Sequence, residues 1–391
     1  MPIVFYISGH GFGHASRDVE VINALGALTA EPIVIRSSVS PDLLARTLRV
    51  PYQLIPGICD TGILQPSSIT QDDPATVTAA LDFYRDFPAR VEAEVSTLAD
   101  VDVRLIVGDI PPLAFATAKR LAVPSIALGN FTWDWIYETH PGFLAAGSHI
   151  VELIRQCYRS VDLALELPFA GGFEIFKQVE KLPLVARHAS HAPAETRAHF
   201  GLPATGRVAL LSFGGYGLPA LDLATLDCRD DWTIVTTDRV SSSAPFDTLR
   251  ARKVQNSSAA PPHVRMIDER AFLTSPFRYE DLVATADVVV TKPGYGIMAE
   301  CISTGTGLLY TSRGNFREYD VLVSALPSVL RSHFISHDDL FAGRWRAALE
   351  AVLAQPEPPT RPATNGAEVA AGIIARWAGA GVFGSRRHRE T

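Results

Sequence analysis

Short apolar runs rich in β-branched residues alternate along the chain with stretches of helical period, and glycine-rich turns join the two. Residues 3–7 open the series as a buried strand, and Val19, Ile22 and Leu25 behind them recur on one helical face. Residues 32–35, 103–107, 125–128 and 161–165 predict further strands in the first half; 208–212, 232–235, 263–267, 286–290 and 308–310 predict them in the second. Such unbroken apolar runs suit parallel strands buried on both faces. Residues 75–98 predict one long helix, 57–72 a loop of the kind that lies over a cleft, 237–262 a Ser- and Pro-rich excursion, and 366–377 a C-terminal helix. Residues 167–206 have little periodicity and read as a crossing between domains. The alternation predicts an α/β chain of two Rossmann-like domains facing each other across a cleft, residues 1–185 and 186–391, with the last helix free to cross back onto the first domain.

Composition narrows the function. The 391 residues are 47% hydrophobic and 20% charged, enough for two buried cores and unlike a disordered chain. The net charge of -7 is spread without long runs and argues against a nucleic-acid partner, so an anionic ligand has to be held by local donors. Cys59, Cys157, Cys228 and Cys301 are far apart and read as reduced, buried thiols rather than metal ligands. His188 and His191 lack a Cys or acidic neighbour in sequence and read as polar linker. The first strand starts at once, without a signal-like segment, and no apolar run reaches about 18 residues, so a cytoplasmic protein without a membrane span is expected.

The chemistry gathers at the turns. Thr291-Lys292-Pro293-Gly294-Tyr295-Gly296 joins a predicted strand to a helix, where free N–H groups and the helix dipole favour a phosphate. Glycine at 294 and 296 lets a ligand approach the backbone, and Glu300, a turn further on, can accept hydrogen bonds from sugar hydroxyls. The plainer reading is a structural turn followed by an exposed Glu. Ser8-Gly9-His10-Gly11-Phe12-Gly13-His14 is a second such turn; it is neither a dinucleotide fingerprint nor a P-loop. His14, at the start of a helix whose dipole favours neutral imidazole, is a candidate general base, or a His that caps and packs. Asp109 ends a predicted strand at the edge where ligands collect in open sheets, and reads equally as a helix N-cap. Asn130-Phe131-Thr132-Trp133-Asp134 forms an aromatic loop at the same edge, suited to a sugar-like or planar ligand or to packing alone. Phe213-Gly214-Gly215 is a third glycine turn, and Arg313 and Arg317 flank Gly314 and Asn315 in a loop able to meet phosphate.

With Gly9-His10-Gly11-Phe12-Gly13-His14-Ala15, the stretch Asn130 to Tyr137, and Lys292-Pro293-Gly294-Tyr295-Gly296 with Glu300, the chain resembles the GT-B glycosyltransferases that use nucleotide sugars. The branch is that of the lipid-linked N-acetylglucosaminyltransferase of peptidoglycan synthesis. More closely, the chain looks like the glycosyltransferase-like N-terminal region of plant L-arabinokinases, over roughly residues 3–350. Their sugar-kinase part has no counterpart here, and its activity is not carried over. The resemblance implies an inverting transfer from a nucleotide-sugar donor, UDP or dTDP, to a hydroxyl of a small-molecule acceptor, with no metal and no cofactor. It implies that Lys292, Gly294, Tyr295 and Gly296 hold the donor diphosphate with Gly214 and Gly215, that Glu300 binds the ribose, and that Arg313, Asn315 and Glu318 touch the donor sugar or phosphate. His14 would be the base and Asp109 its orienting partner, with His10, Phe12, Asn130, Trp133 and Asp134 on the acceptor side. Gly13-His14-Ala15-Ser16-Arg17 is also similar to the Gly-His-x-x-Arg turn of the nucleotide-sugar hydrolase of pseudaminic acid synthesis, whose acceptor is water. The alternatives are thus a hydrolase or a non-catalytic sugar-nucleotide binder, and a homodimer is a candidate assembly.

Overall fold

A computed structural model of the chain describes residues 1–10, 12–214, 218, 221–238, 261–314 and 316–379. Among the described residues thirteen strands lie in two sheets, and every strand pairing is parallel. The first sheet holds β1 (Ile3–Ile7), β2 (Ile33–Ser37), β3 (Tyr52–Pro56), β4 (Leu105–Asp109), β5 (Ser125–Phe131), β6 (Leu163–Gly171) and β7 (Val179–Lys181), in the order β3-β2-β1-β4-β5-β6-β7. The second holds β8 (Arg207–Ser212), β9 (Trp232–Asp238), β10 (Val264–Asp268), β11 (Val288–Thr291), β12 (Gly307–Tyr310) and β13 (Ser332–Phe334), in the order β10-β9-β8-β11-β12-β13. The central strands are buried along their whole length, as their β-branched runs require.

The helix Phe12–Leu25 buries Val19, Ile22 and Leu25, each burial contributing about 1.5–3 kcal/mol. The helix Gly366–Gly379 packs on it, and Arg104 Nη1 donates to Ala378 O at 2.8 Å. The last helix therefore lies against the first sheet's side of the molecule.

Several expectations are corrected. Residues 75–98 form two helices, Asp73–Tyr84 and Phe87–Thr97. Pro88 cannot continue a helix, because its ring would strike the carbonyl four residues back, and Asp86 caps the new start by accepting from Ala89 N at 3.3 Å. The aromatic stretch after residue 128 is not a loop: β5 runs on to Phe131, and Trp133–Glu138 is a helix. The crossing region contains the end of β6, β7 and the helix Pro193–His199. β3 escapes the pattern because it is a half-exposed edge strand ending in proline, which only an edge tolerates. Most of the excursion expected at 237–262 lies outside the described residues.

Candidate active site

In each sheet the strand order reverses once, between β1 and β4 in the first and between β8 and β11 in the second. A crevice opens at such a point, beyond the carboxyl ends of the strands. The chain spends its unusual residues there. Ile7 at the end of β1 is in register with Asp109 at the end of β4, and the turn after Ile7 leads directly into the helix carrying His14. Asp109 is a buried strand residue; the cap position of the following helix is Pro111, so the N-cap reading is corrected.

His14 Nδ1 lies 2.8 Å from Asp109 Oδ1. A neutral imidazole this close to a carboxylate oxygen carries its hydrogen on Nδ1 and its lone pair on Nε2, and Arg17 Nη2 lies 3.1 Å from the same Nδ1. Nε2 makes no protein hydrogen bond among the described residues. Arg17, one helical turn on, grips both oxygens of Asp109 through Nε and Nη2. Burial alone would raise the Asp109 pKa, but the Arg17 guanidinium and His14 outweigh it and hold the carboxyl below its ordinary value. Asp18, 1% exposed, has no hydrogen-bond donor at either oxygen, and burial together with the nearby Asp109 charge pushes its pKa well up. Asp18 therefore holds its proton more tightly than an ordinary Asp, beside a carboxyl that holds its own less tightly. Its proton is kept on folding but lost by the unfolded chain once pH passes the ordinary Asp range, so this residue's contribution to stability falls as pH rises. Asp18→Asn is expected to stabilise the protein at pH 7 by roughly 1–3 kcal/mol, because the amide needs no proton taken up on folding, and by much less at pH 4. Urea unfolding at both pH values checks this; an equal effect at both would contradict a buried neutral carboxyl.

The dyad continues into the second half. Arg17 Nη1 donates to Asn130 Oδ1 at 2.7 Å, Asn130 Nδ2 donates to Glu318 Oε1 at 2.8 Å, and Arg313 Nη1 donates to Glu318 Oε2 at 2.9 Å. The Arg17 guanidinium also lies over the Tyr295 ring, 5.5 Å from its centre. Residues read from sequence as base, acceptor and donor groups are therefore one buried chain, with Asn130 engaged at both ends.

Beside the first crevice, Asp60 is the organising group. It accepts from Trp133 Nε1 at 2.9 Å and Ser8 Oγ at 3.1 Å, and His10 Nε2 lies 3.2 Å from it. Burial disfavours the His10 imidazolium, but Asp60 outweighs burial and raises its pKa. Gly62, at φ +57, packs flat on the His10 ring, where any side chain would collide. Trp133 is only 2% exposed and stacks on Tyr137. Asp134 is held by Arg155 Nε at 3.2 Å, and burial raises its pKa. Neither residue offers an open face.

At the second crevice, Thr291 is in register with Ser212, which sets the Gly214 turn beside the Lys292–Gly294 turn. Side-chain positions at Gly214, Gly294 and Gly296 meet nothing within 4 Å, and Gly214 has φ +64, so these turns border open space. The helix Tyr295–Thr304 starts there. Lys292 Nζ donates to Gln65 Oε1 at 3.2 Å; burial, reinforced by Arg313, pushes its pKa down to about 7. Tyr295 is buried, its hydroxyl accepting from Val185 N at 3.1 Å. Glu300 is not the exposed carboxylate of the plainer reading: it is 3% exposed, Arg187 Nε donates to its Oε1 at 2.6 Å, and its Oε2 is left without a partner.

Gly11, Gly215, Asn315 and the Phe12 side chain lie outside the described residues. Among the described residues no group of three or more His, Cys, Asp or Glu side chains converges as a metal site, and no helix is long and apolar enough to cross a membrane. His191 pairs with Asp281 at 3.1 Å, while His188 lies 3.2 Å from Thr364 O. All four cysteines are free and buried. Sequence reasoning assigned no role to Arg17, Asp18, Asp60 or Arg187. Arg17 alone had a signal, since it stands three positions from His14 on one helix face.

Two parallel sheets, each with its crevice at the strand-order reversal and the two joined across it, are the GT-B glycosyltransferase fold. No protein family model matches the chain. Over 380 residues, 96% of this chain, it is 27% identical to the L-arabinokinase of Arabidopsis thaliana, and it spans 34% of that protein's length. Among solved structures it is similar to the glycotransferase of kitacinnamycin, with a TM-score of 0.62 and 18% identity over 96% of this chain and 98% of that one. It is also similar to the glycosyltransferase SnogD from Streptomyces nogalater, at 0.55 and 18% over 96% and 99%. Phytolacca americana UGT2 complexed with UDP-2fluoro-glucose and pterostilbene matches at 0.56 and 12% over 96% and 94%.

Proposed function

We propose that the protein is an inverting glycosyltransferase that moves a sugar from a nucleotide-sugar donor to a hydroxyl of a small-molecule acceptor. The observation that carries this reading is the pairing of the two crevices. The His14–Asp109 dyad stands at one, the open Gly214, Gly294 and Gly296 turns at the other, and Arg17 over Tyr295 joins them. In this mechanism His14 Nε2 removes the acceptor hydroxyl proton and Asp109 stabilises the imidazolium. The acceptor oxygen attacks the anomeric carbon as its bond to the diphosphate breaks, which inverts that centre. The leaving phosphate takes the electron pair and is stabilised by the N–H groups at the start of the helix Tyr295–Thr304, with Lys292 and Arg313 nearby. No step requires a metal. The domains are read as residues 1–185 for the acceptor and 186–391 for the donor. UDP and dTDP are the bases to try first, since UGT2 was solved with a UDP-sugar and the glycosyltransferase VinC with dTDP.

One observation favours water, or a very small alcohol, as acceptor. Trp133, Asp134 and Asn130, the groups a bulky acceptor would have used, are committed inside the protein.

Calorimetric titration with UDP, dTDP, GDP and ADP tests the donor side. One diphosphate is expected to bind, and Glu300→Ala to weaken it about tenfold, the loss of a charge-assisted hydrogen bond. Binding of none would reduce the reading to a likeness of fold. Sugar release from the intact donor without acceptor then separates hydrolysis from transfer.

A further inference from the structure

The segment between β3 and the helix Asp73–Tyr84 belongs to the first half by sequence but reaches into the second. Ser68 is fully buried and its hydroxyl donates to Phe213 O, the carbonyl just before the Gly214 turn. Ile69 packs against the apolar cluster of the second sheet. Gln65 Oε1 accepts from Lys292, and Gln71 lies in contact range of Gly314, 3.9 Å from where a side chain there would begin. One strap from the first half thus touches the turns after β8, β11 and β12, the three that border the proposed donor crevice.

Hydrogen-bond supply at this place is out of balance. Gln71 Nε2 and Arg313 Nε are buried donors without a hydrogen-bond partner, and the Thr311 hydroxyl, at the start of the turn that carries Arg313, is also unpaired. Among the described residues the Lys292 ammonium hydrogen-bonds a neutral amide, and the nearby Glu318 carboxylate is shared with Arg313. Folded proteins pair nearly all such groups, and each one left bare costs free energy. Unpaired N–H groups from two halves, next to a lysine and an arginine, match an oxygen-rich anion.

We propose that Gln71 is a donor-recognition residue supplied by the first half, its amide N–H binding the diphosphate of a nucleotide sugar held between Lys292, Arg313 and the Gly294 turn. This rests on the donor crevice proposed above, and it adds that the diphosphate is read from both halves at once. It also gives the strap a function: Ser68 and Ile69 anchor it so that Gln71 is held in position.

The test is calorimetric titration of wild type and Gln71→Leu with the nucleoside diphosphate that wild type binds and with the matching nucleoside. Thermal melting of both proteins without ligand is run alongside. Gln71→Leu is expected to weaken the diphosphate about 10- to 100-fold, the range for a hydrogen bond to a charged group, and to leave the nucleoside unchanged. Without ligand the variant is expected to melt no lower than wild type, because an unpaired buried N–H has been removed. Gln71→Glu, which sets a carboxylate against the phosphate, is expected to weaken binding further. Equal diphosphate affinity in wild type and Gln71→Leu overturns the inference and leaves the donor crevice standing, as does equal weakening of nucleoside and diphosphate. A lower melting temperature for Gln71→Leu also overturns it, since the amide would then be serving the fold. Wild type that binds no diphosphate overturns both readings.

Discussion

His14→Ala is expected to lower turnover by about 10²–10⁴-fold, the usual contribution of a positioned general base, with donor affinity unchanged. The separation of effects follows from the geometry. His14 belongs to the first crevice and touches Asp109, Phe131 and Trp133, whereas the open glycine turns belong to the second. Removing the imidazole takes away the proton acceptor and leaves the diphosphate site alone, so kcat falls and the donor Kd does not. The same fall applies to sugar release if water is the acceptor, because water also has to lose a proton. Steady-state rates and calorimetry on the same folded variant check both halves of the expectation. Full turnover by a folded His14→Ala would remove His14 from the mechanism.

Arg17→Met carries the largest expected effect on stability. It leaves Asp109 ionised and buried, next to Asp18, without its main counter-charge. Breaking a buried ion pair from one side costs about 3–5 kcal/mol, a large part of the 5–15 kcal/mol that holds a typical domain folded. Arg17→Lys is expected to restore little, because one ammonium cannot span both carboxylate oxygens and also reach Asn130, as the guanidinium fork does. The double variant Arg17→Met with Asp109→Asn is expected to regain part of the loss, since the stranded charge is gone. Asp109 also sets an acid-side signature. Its depressed pKa contributes stability above the ordinary Asp range that is lost as pH falls through the folded value, and Arg17→Met should reduce that loss. Urea unfolding of the three variants decides the matter; a cost below about 1 kcal/mol for Arg17→Met would mean the charge is not buried as described.

The buried strands and the glycine turns were readable in sequence because both carry local signals, β-branched runs for the one and glycine before a helical period for the other, whereas the half-exposed edge strands β3, β7 and β13 carry none. Boundaries failed where a single residue overrode a period, as Pro88 did within 75–98. The partnership of His14 with Asp109 was expected only from the family resemblance, because His14 stands on a helix and Asp109 at a strand end 95 positions away in sequence. What no local pattern carries is the company a side chain keeps after folding. Glu300 looked free and is bound by Arg187, 113 positions away in sequence. Trp133 looked like a ligand platform, and its indole is spent on Asp60. Asp60 itself sits in a stretch that reads only as loop, yet it ties Ser8, His10 and Trp133 together.

The helix Gly366–Gly379 lies on the helix Phe12–Leu25, so the earliest helix of the chain is covered by the last one described. A ribosome makes them in that order. At typical elongation rates the interval between the two is roughly 20–70 s, during which the part of the first helix that the later one covers stays bare. The nascent first half therefore waits in an incomplete state until the later helix emerges, and its closure is a long-range event that joins distant parts of the chain.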